Sequence, residues 1–153
     1  MTQRVRFGLI GTGLMGLEHI RNLLLFPEVE IVALADPTPS SLNFALSLLG
    51  PNADKVQTFA TAEELVKHAN VDAVVIASPN HMHAHSLKPL MASPIHVLCE
   101  KPLCSDLEDA KRIAAQAKDR QAVFWVGMEY RYMPPATRFI EDVHGGRVGQ
   151  LRM

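Results

Sequence analysis

The sequence has no excess of charge of either sign. It carries 15 basic and 16 acidic side chains among 153 residues, so there is no electrostatic reason to expect nucleic acid or an anionic membrane as a partner. It also has no apolar run near the roughly 18 residues that a membrane helix needs. Its first residues lead straight into an apolar segment, without the apolar core and cleavage site of a signal peptide. These absences exclude several classes of protein and indicate no function.

Cysteine and tryptophan are scarce. Cys99 and Cys104 fit neither a disulfide framework nor a paired metal motif, which predicts a reducing compartment, the cytoplasm. Cys99 ends an apolar run and is expected to be a small buried apolar residue. A catalytic thiolate or a redox pair at these two positions is the alternative. The single tryptophan, Trp125, is expected to lie in the core.

Short apolar runs alternate with amphipathic stretches along the chain. The apolar runs predict strands at 5–10, 30–35, 56–59, 71–77, 95–99 and 122–126. The stretches between them predict helices at 14–26, 40–49, 61–68, 82–92, 105–117 and 135–143. Capping-box patterns, Thr61 with Glu64 and Ser105 with Glu108, begin the third and fifth helices. The alternation implies parallel strands joined by right-handed crossovers, so the predicted fold is α/β, a doubly wound (Rossmann) parallel sheet of strand order 3-2-1-4-5-6.

A glycine-rich loop joins the first predicted strand to the first helix. Its GxGxxG pattern is formed by Gly11, Thr12, Gly13, Leu14, Met15 and Gly16. Gly11 permits the tight turn, Gly13 lets the backbone approach a diphosphate, and Gly16 allows close helix–strand packing. The helix N-terminus adds free N–H groups and a partial positive charge. The loop is therefore predicted to bind a dinucleotide, and an ordinary glycine-rich turn is the alternative.

Asp36 ends the second predicted strand, 20 residues after Gly16. An acidic side chain there accepts hydrogen bonds from the adenosine ribose hydroxyls of NAD, whereas the 2′-phosphate of NADP would meet a like charge. No arginine follows within residues 37–40. NAD is therefore predicted over NADP, with NADP kept open. The alternative is that Asp36 only caps a turn.

Three further segments follow the last three predicted strands. They read ASPNHMH at 77–83, CEKP at 99–102 and GMEYRYMP at 127–134. Together with the glycine loop, they resemble the Gfo/Idh/MocA family, named for glucose–fructose oxidoreductase and inositol dehydrogenase. The resemblance spans essentially the whole chain. One departure is Glu129, which stands where many members carry asparagine.

The resemblance implies roles for individual residues. Lys101 matches the active-site lysine, which faces substrate and nicotinamide, and Pro102 matches a proline often preceded by a cis bond. Arg131 and Pro134 match the Arg-x-x-Pro segment at the entrance to a second domain. Beyond the glycine loop, the residues expected to bind the cofactor are Asp36, Ser78, Pro79, Asn80, His83, Glu100, Lys101, Pro102 and Arg131.

The resemblance also implies a function. It indicates an NAD(P)-dependent oxidoreductase that transfers a hydride between nicotinamide and a sugar, an inositol or a related polyol or carbonyl compound, with Lys101 as the catalytic residue. Residues 1–145 would form the dinucleotide-binding domain. Residues 146–153 would begin a truncated α/β domain for substrate binding and homo-oligomerisation, which leaves this chain incomplete for catalysis. The alternatives are an NAD-dependent non-redox glycosidase-type relative and a non-catalytic dinucleotide-binding module.

Three alternating histidines, His81, His83 and His85, invite a metal-binding interpretation. On a helix, positions i and i+2 point about 200° apart, so only His81 and His85 would share a face. No cysteine or carboxylate nearby completes a ligand set. No metal site is therefore predicted.

Overall fold

The computed structural model of the chain describes residues 4–150 and 152. Six strands form one sheet in the order β3-β2-β1-β4-β5-β6, and all neighbouring pairs are parallel. The strands are β1 (Val5–Ile10), β2 (Val29–Ala35), β3 (Gln57–Phe59), β4 (Ala73–Ile76), β5 (His96–Glu100) and β6 (Phe124–Gly127). The helices are α1 (Leu14–Leu23), α2 (Pro39–Leu49), α3 (Ala62–His68), α4 (His83–Leu87), α5 (Leu107–Lys118) and α6 (Pro134–His144). The predicted doubly wound sheet and its strand order are confirmed.

Two helices are shorter than predicted by three residues or more. Helix α1 ends at Leu23 because the following residues tighten into a turn, in which the N–H of Phe26 donates to the carbonyl of Leu23. Helix α4 covers only His83–Leu87 of the predicted 82–92, and a 3-10 turn, Asn80–Met82, precedes it. Its early end follows from Pro89, which has no N–H to donate and whose ring clashes with the carbonyl one turn earlier.

The two predicted helix starts have different outcomes. Thr61 caps α3, since its hydroxyl accepts the N–H of Glu64 at 3.1 Å. The prediction that Ser105 caps α5 is wrong. Asp106 is the cap, and its carboxylate accepts the N–H groups of Glu108 and Asp109 at 2.9 and 3.0 Å. A carboxylate one residue later satisfies two free amides of the first turn, which the hydroxyl of Ser105 does not reach.

The core lies on both faces of the sheet, which explains why the strands are almost continuously apolar. On one face, Leu9, Leu34 and Val75 pack with α1 and α2. On the other, Val74 and Ile76 pack with residues of α3, α4 and α5. Within the residues that the structure describes, no helix is both long enough and apolar enough to cross a membrane.

Trp125 does not lie in the core, contrary to the prediction. Its side chain is 49% exposed on β6 and contacts the ring of Tyr132 edge-on, with 5.6 Å between ring centroids. The reason is topological, because β6 is the last strand in the sheet order and has a neighbour on one side only. By contrast, Cys99 is buried as predicted.

The last residues follow α6 as a turn. Gly145 is the C-cap of α6, and residues 149 and 150 lie outside any helix or strand. Residues 151 and 153, within the stretch 146–153 that was expected to begin a second domain, lie outside the described residues.

An ion pair joins β1 to the residue that precedes β4. Asp72 accepts the backbone N–H of Arg6 at 2.8 Å, and its other carboxylate oxygen lies 2.7 Å from Nη2 of Arg6. These hydrogen bonds stabilise the ionised carboxyl group and lower the pKa of Asp72 to about 2. The pair therefore contributes to stability only while Asp72 is charged.

We expect this contribution to depend on pH. The pKa of about 2 in the folded chain lies below the ~3.9 of an unfolded aspartate, so the contribution is fully present above about pH 4 and is lost as the pH falls through about 2. The difference in free energy of unfolding between wild type and Asp72→Asn, measured with urea, should be constant at neutral pH and shrink between pH 4 and 2. Asp54→Asn, at an exposed carboxylate, is the control and should show no such change. A pH-independent difference for Asp72→Asn would contradict the assignment.

Candidate functional site

The loops that follow β1, β2, β3 and β4 meet at the carboxyl edge of the sheet and enclose a cleft of about 670 Å³. The cleft lies where the strand order reverses, between β1 and β4, which is the usual ligand-binding position in an open α/β sheet. The predicted site residues that line it are Gly11, Gly13, Leu14, Met15, Asp36, Ser78, Pro79 and Asn80. The structure thus brings together loops that are far apart in sequence.

The three glycines of the loop have different local roles. Gly11 has a φ of +91°, and a Cβ there would lie 2.5 Å from the backbone nitrogen of Ser78. A Cβ on Gly16 would overlap the carbonyl oxygen of Gly11, so α1 packs directly on the loop. Gly13 has no atom within 4 Å of its Cβ position and faces the open cleft. Two glycines are therefore required by the fold, and Gly13 leaves room for a ligand.

The N-terminus of α1 opens into the cleft. Its N-cap, Gly13, makes no side-chain cap, and the first turn of α1 contains no acidic residue. The free N–H groups and the positive end of the helix dipole are therefore available to an anion. Leu14 and Met15, 75% and 45% exposed, add apolar walls beside them. This arrangement fits a diphosphate flanked by less polar groups.

Asp36 directly follows β2, and hydrogen bonds to its carboxylate fix it at the side of the cleft away from β4. Its Oδ2 accepts the N–H of Thr12 at 2.8 Å and the hydroxyl of Thr12 at 3.1 Å, and its Oδ1 accepts the N–H of Thr38 at 2.9 Å. Thr12 is itself buried and lies outside the set of residues that line the cleft. Because Oδ1 has a second lone pair, the carboxylate can still accept a hydrogen bond from a ligand hydroxyl.

The loop after β4 divides into exposed and buried residues. Pro79 and Asn80 are exposed at the cleft, and the hydroxyl of Ser78 lies 3.2 Å from that of Ser86. His83 is fully buried instead. Its Nδ1 lies 2.8 Å from the carbonyl oxygen of Pro102, and its Nε2 lies 2.8 Å from that of Ser78. His83 therefore presents no free polar atom to a bound cofactor.

The segment after β5, which we call the lysine loop (residues 101–104), carries Lys101 at the same edge of the sheet. Lys101 is exposed, and the bond between Lys101 and Pro102 is cis, as the family resemblance implied. Glu100 is only 8% exposed. One of its carboxylate oxygens lies 2.8 Å from Nε2 of His19, and the other accepts the N–H of Lys101 at 3.1 Å.

His19 was not among the predicted site residues. It lies on α1, three residues after Gly16, and its contact with Glu100 spans 81 positions in sequence. The only available signal was a polar residue on the first helix, which does not identify a partner. The pair links the helix of the glycine loop to the lysine loop.

A second, mostly apolar groove of about 500 Å³ lies beside strands β4–β6. It is lined by Leu23, Leu98, Trp125, Met128 and Tyr132, together with His19 and Glu100. Arg131 is exposed in the 3-10 turn Glu129–Tyr132, and within the described residues it lines neither this groove nor the cleft.

Neither metal ligands nor reactive thiols stand out at this edge. Over residues 4–150, no group of three or more histidine, cysteine or acidic side chains is arranged to hold a metal ion. His85 lies 3.6 Å from Glu63 instead. Burial raises the pKa of Cys99 to about 12, and burial also raises the pKa of Cys104. Both thiols are therefore protonated at neutral pH, which favours the structural role of Cys99 over the thiolate alternative.

Comparison with known proteins agrees with this geometry. Residues 5–128 match the model of the Gfo/Idh/MocA oxidoreductase family, described as an NAD-binding Rossmann fold. The chain belongs to this family. NAD is accordingly the cofactor of the domain, and the cleft with its open Gly13 fits it.

Individual relatives are similar along nearly the whole chain. The rhizopine catabolism protein MocA of Rhizobium meliloti is 32% identical over 97% of this chain and 45% of its own length. An inositol 2-dehydrogenase of R. meliloti strain 1021 is 30% identical over 97% of this chain and 43% of its own length. The crystal structure of myo-inositol dehydrogenase from Lactobacillus casei with NAD(H) and myo-inositol superposes with a TM-score of 0.85, at 28% identity, over 96% of this chain and 43% of that one. The chain thus spans less than half the length of these relatives.

We expect Gly13 to be replaceable without loss of the fold but not without loss of binding. Asp and Asn are both favoured N-caps, and the Cβ position is free, so Gly13→Asp and Gly13→Asn should keep the melting temperature of wild type. The carboxylate of Gly13→Asp would face the diphosphate, so its NADH affinity should fall by about 100-fold or more, since like-charge contacts cost several kcal/mol. Titration of NADH fluorescence measures the affinity.

The nearly isosteric Gly13→Asn variant separates charge from bulk. It should lose less affinity than Gly13→Asp. If Gly13→Asp bound NADH as well as wild type does, the diphosphate could not lie at this loop.

Proposed function

We propose that this chain is the cofactor-binding part of an NAD-dependent oxidoreductase that transfers a hydride between nicotinamide and a polyol of the inositol or sugar type. The observation that carries the proposal is a single juxtaposition. A dinucleotide cleft at the end of β1 and an exposed lysine at the end of β5 share one edge of the sheet, only two strands apart. The names of the relatives, MocA and inositol 2-dehydrogenase, support the redox reaction and the substrate class.

Different residues would bind different parts of the dinucleotide. The N-terminus of α1 and Gly13 hold the diphosphate, and Asp36 accepts hydrogen bonds from the adenosine ribose. Ser78, Pro79 and Asn80 line the cleft on the β4 side, toward the lysine loop, and would approach the nicotinamide half. Arg131 remains a proposed contact at the entrance to a second domain.

Lys101 would handle the proton. NAD, when bound, supplies the hydride acceptor or donor. The charged amino group of Lys101 would lie beside the substrate hydroxyl, donate a hydrogen bond to its oxygen and ease the loss of the hydroxyl proton to water as the carbonyl forms, and water would return the proton in the reverse reaction. The positive charge of the lysine also stabilises negative charge that develops on the substrate oxygen.

We further propose that residues 1–145 form the dinucleotide-binding domain and that residues from 146 onward begin an α/β domain. This second domain would complete the substrate site and the homo-oligomer contact. The relatives, which are more than twice as long as the matched region, support this division. The two free cysteines support residence in the reducing cytoplasm.

The cofactor preference is testable in this chain. NADH should bind at least about tenfold more tightly than NADPH, because a 2′-phosphate would meet the carboxylate of Asp36. Asp36→Asn removes the charge while keeping an acceptor oxygen, so the preference should narrow, chiefly through tighter NADPH binding. Fluorescence titration with each nucleotide gives the ratio, and Asp54→Asn controls for the change in net charge. Tighter binding of NADPH by wild type would refute the role of Asp36.

The role of Lys101 is testable in the full-length protein. Lys101→Met should lower the rate of polyol-dependent NAD reduction by about 100-fold or more, the usual contribution of a positioned acid–base group. Absorbance of NADH at 340 nm gives the rate, and NADH titration separates the loss of turnover from any loss of cofactor affinity. Lys118→Met, at an exposed lysine on α5, is the control. Unchanged turnover in Lys101→Met would exclude this lysine from the reaction.

A further inference from the structure

The lysine loop has little regular structure to hold it. Residues 101–105 lie outside any helix or strand, and Lys101 is exposed. A lysine side chain has four carbons and ~2 kcal/mol of rotamer entropy, so the place of its amino group depends first on where its backbone is held. The contacts that fix this backbone therefore decide where the lysine can act.

The first contact comes from α1 through Glu100. The carboxylate of Glu100 is almost fully buried, and burying a charge is unfavourable unless it is paired and hydrogen-bonded. One oxygen lies 2.8 Å from Nε2 of His19, and the other accepts the N–H of Lys101 at 3.1 Å. A continuous chain of polar contacts thus runs from the helix that opens at the diphosphate position to the backbone of Lys101.

The second contact comes from α4 through His83. Its two ring nitrogens each lie 2.8 Å from a carbonyl oxygen, of Pro102 on one side and of Ser78 on the other. The ring is completely buried. His83 therefore bridges the loop after β4, which lines the cleft, to the residue that follows Lys101.

We propose that His19 and His83 are positioning residues that hold the backbone of the lysine loop in a fixed position relative to the dinucleotide cleft. The proposal rests on the proposed function and refines one of its assignments. His83, expected from the sequence to bind the cofactor, acts through the protein backbone and does not touch the ligand. His19 gains a role that no sequence pattern assigned to it. The two histidines contact the residues on either side of Lys101 in sequence, His19 on α1 through Glu100 and His83 on α4 through Pro102.

The test for His19 compares two ligands in this chain. NADH carries the nicotinamide half of the dinucleotide, whereas ADP-ribose has the adenosine and the diphosphate without the nicotinamide ring. His19→Leu should lower the affinity for NADH about tenfold, which is the effect of losing a hydrogen bond to a charged group. The affinity of His19→Leu for ADP-ribose should stay within about twofold of wild type, because the glycine loop keeps its own contacts. His19→Gln should restore NADH affinity, since its amide nitrogen donates in place of Nε2.

Amide hydrogen exchange provides a readout that needs no ligand. Exchange at Lys101 should be about tenfold faster in His19→Leu than in wild type and normal in His19→Gln, while exchange at buried Val75 stays constant. If the unpaired charge of Glu100 prevents His19→Leu from folding, the double variant His19→Leu/Glu100→Gln removes that buried charge. The double variant is then measured in place of His19→Leu. His68→Leu, at an exposed histidine at the end of α3, is the control.

His83 permits a matched pair of variants. The amide of His83→Asn occupies the region of Nδ1 and can donate to the carbonyl of Pro102, whereas the longer His83→Gln reaches the region of Nε2 and the carbonyl of Ser78. Each variant leaves one of the two carbonyls without its contact to residue 83, so their melting temperatures should be similar. His83→Gln should show faster exchange at Lys101 and weaker NADH binding, and His83→Asn should stay near wild type.

The outcomes separate the two levels of the proposal. If His19→Leu lost affinity equally for NADH and for ADP-ribose, or if the exchange rate at Lys101 were unchanged, the histidines would support only the general fold. Either result would refute the positioning role. If wild type bound neither ligand, the proposed function would fail, and exchange at Lys101 would still decide whether the histidines hold the loop.

Discussion

The contact between the first turn and the end of β4 is the constraint on which the site depends. Gly11 adopts a left-handed φ and lies so close to the backbone of Ser78 that a side chain would overlap it. The ends of β1 and β4 can therefore approach without obstruction, while α1 starts directly over the junction. The same approach opens the cleft, directs free N–H groups into it and places the loop after β4 as its wall.

The motif residues separate into those that build the site and those that face it. Thr12 and His83 use their polar atoms on other parts of the chain, with Asp36 and with two carbonyl oxygens respectively. Gly13 and Lys101 are left with open surroundings. A sequence motif does not distinguish these two groups, because both are needed for the same geometry and occur at fixed spacing. Burial and hydrogen-bond partners make the distinction.

Local signals predicted most of the fold and the parts of the site that a loop carries by itself. Alternating apolar runs were enough to predict six parallel strands, and the GxGxxG spacing was enough to predict the loop that lines the cleft. Errors arose where a neighbouring residue changed the local balance. Pro89 ended α4 early, and Asp106 took the cap predicted for Ser105. Trp125 was misplaced because hydrophobicity does not show that a strand is the last in the sheet.

The pairing of His19 with Glu100 could not be predicted because it depends on the sheet order as a whole. Helix α1 follows β1, and Glu100 ends β5, which reaches β1 only through β4. Helical periodicity leaves His19 off the buried face of α1 and gives no reason to pair it with a residue 81 positions away. The buried carboxylate supplies that reason, since its charge requires a partner and α1 is the helix within reach. A single electrostatic requirement thus joins the two loops that carry the proposed chemistry.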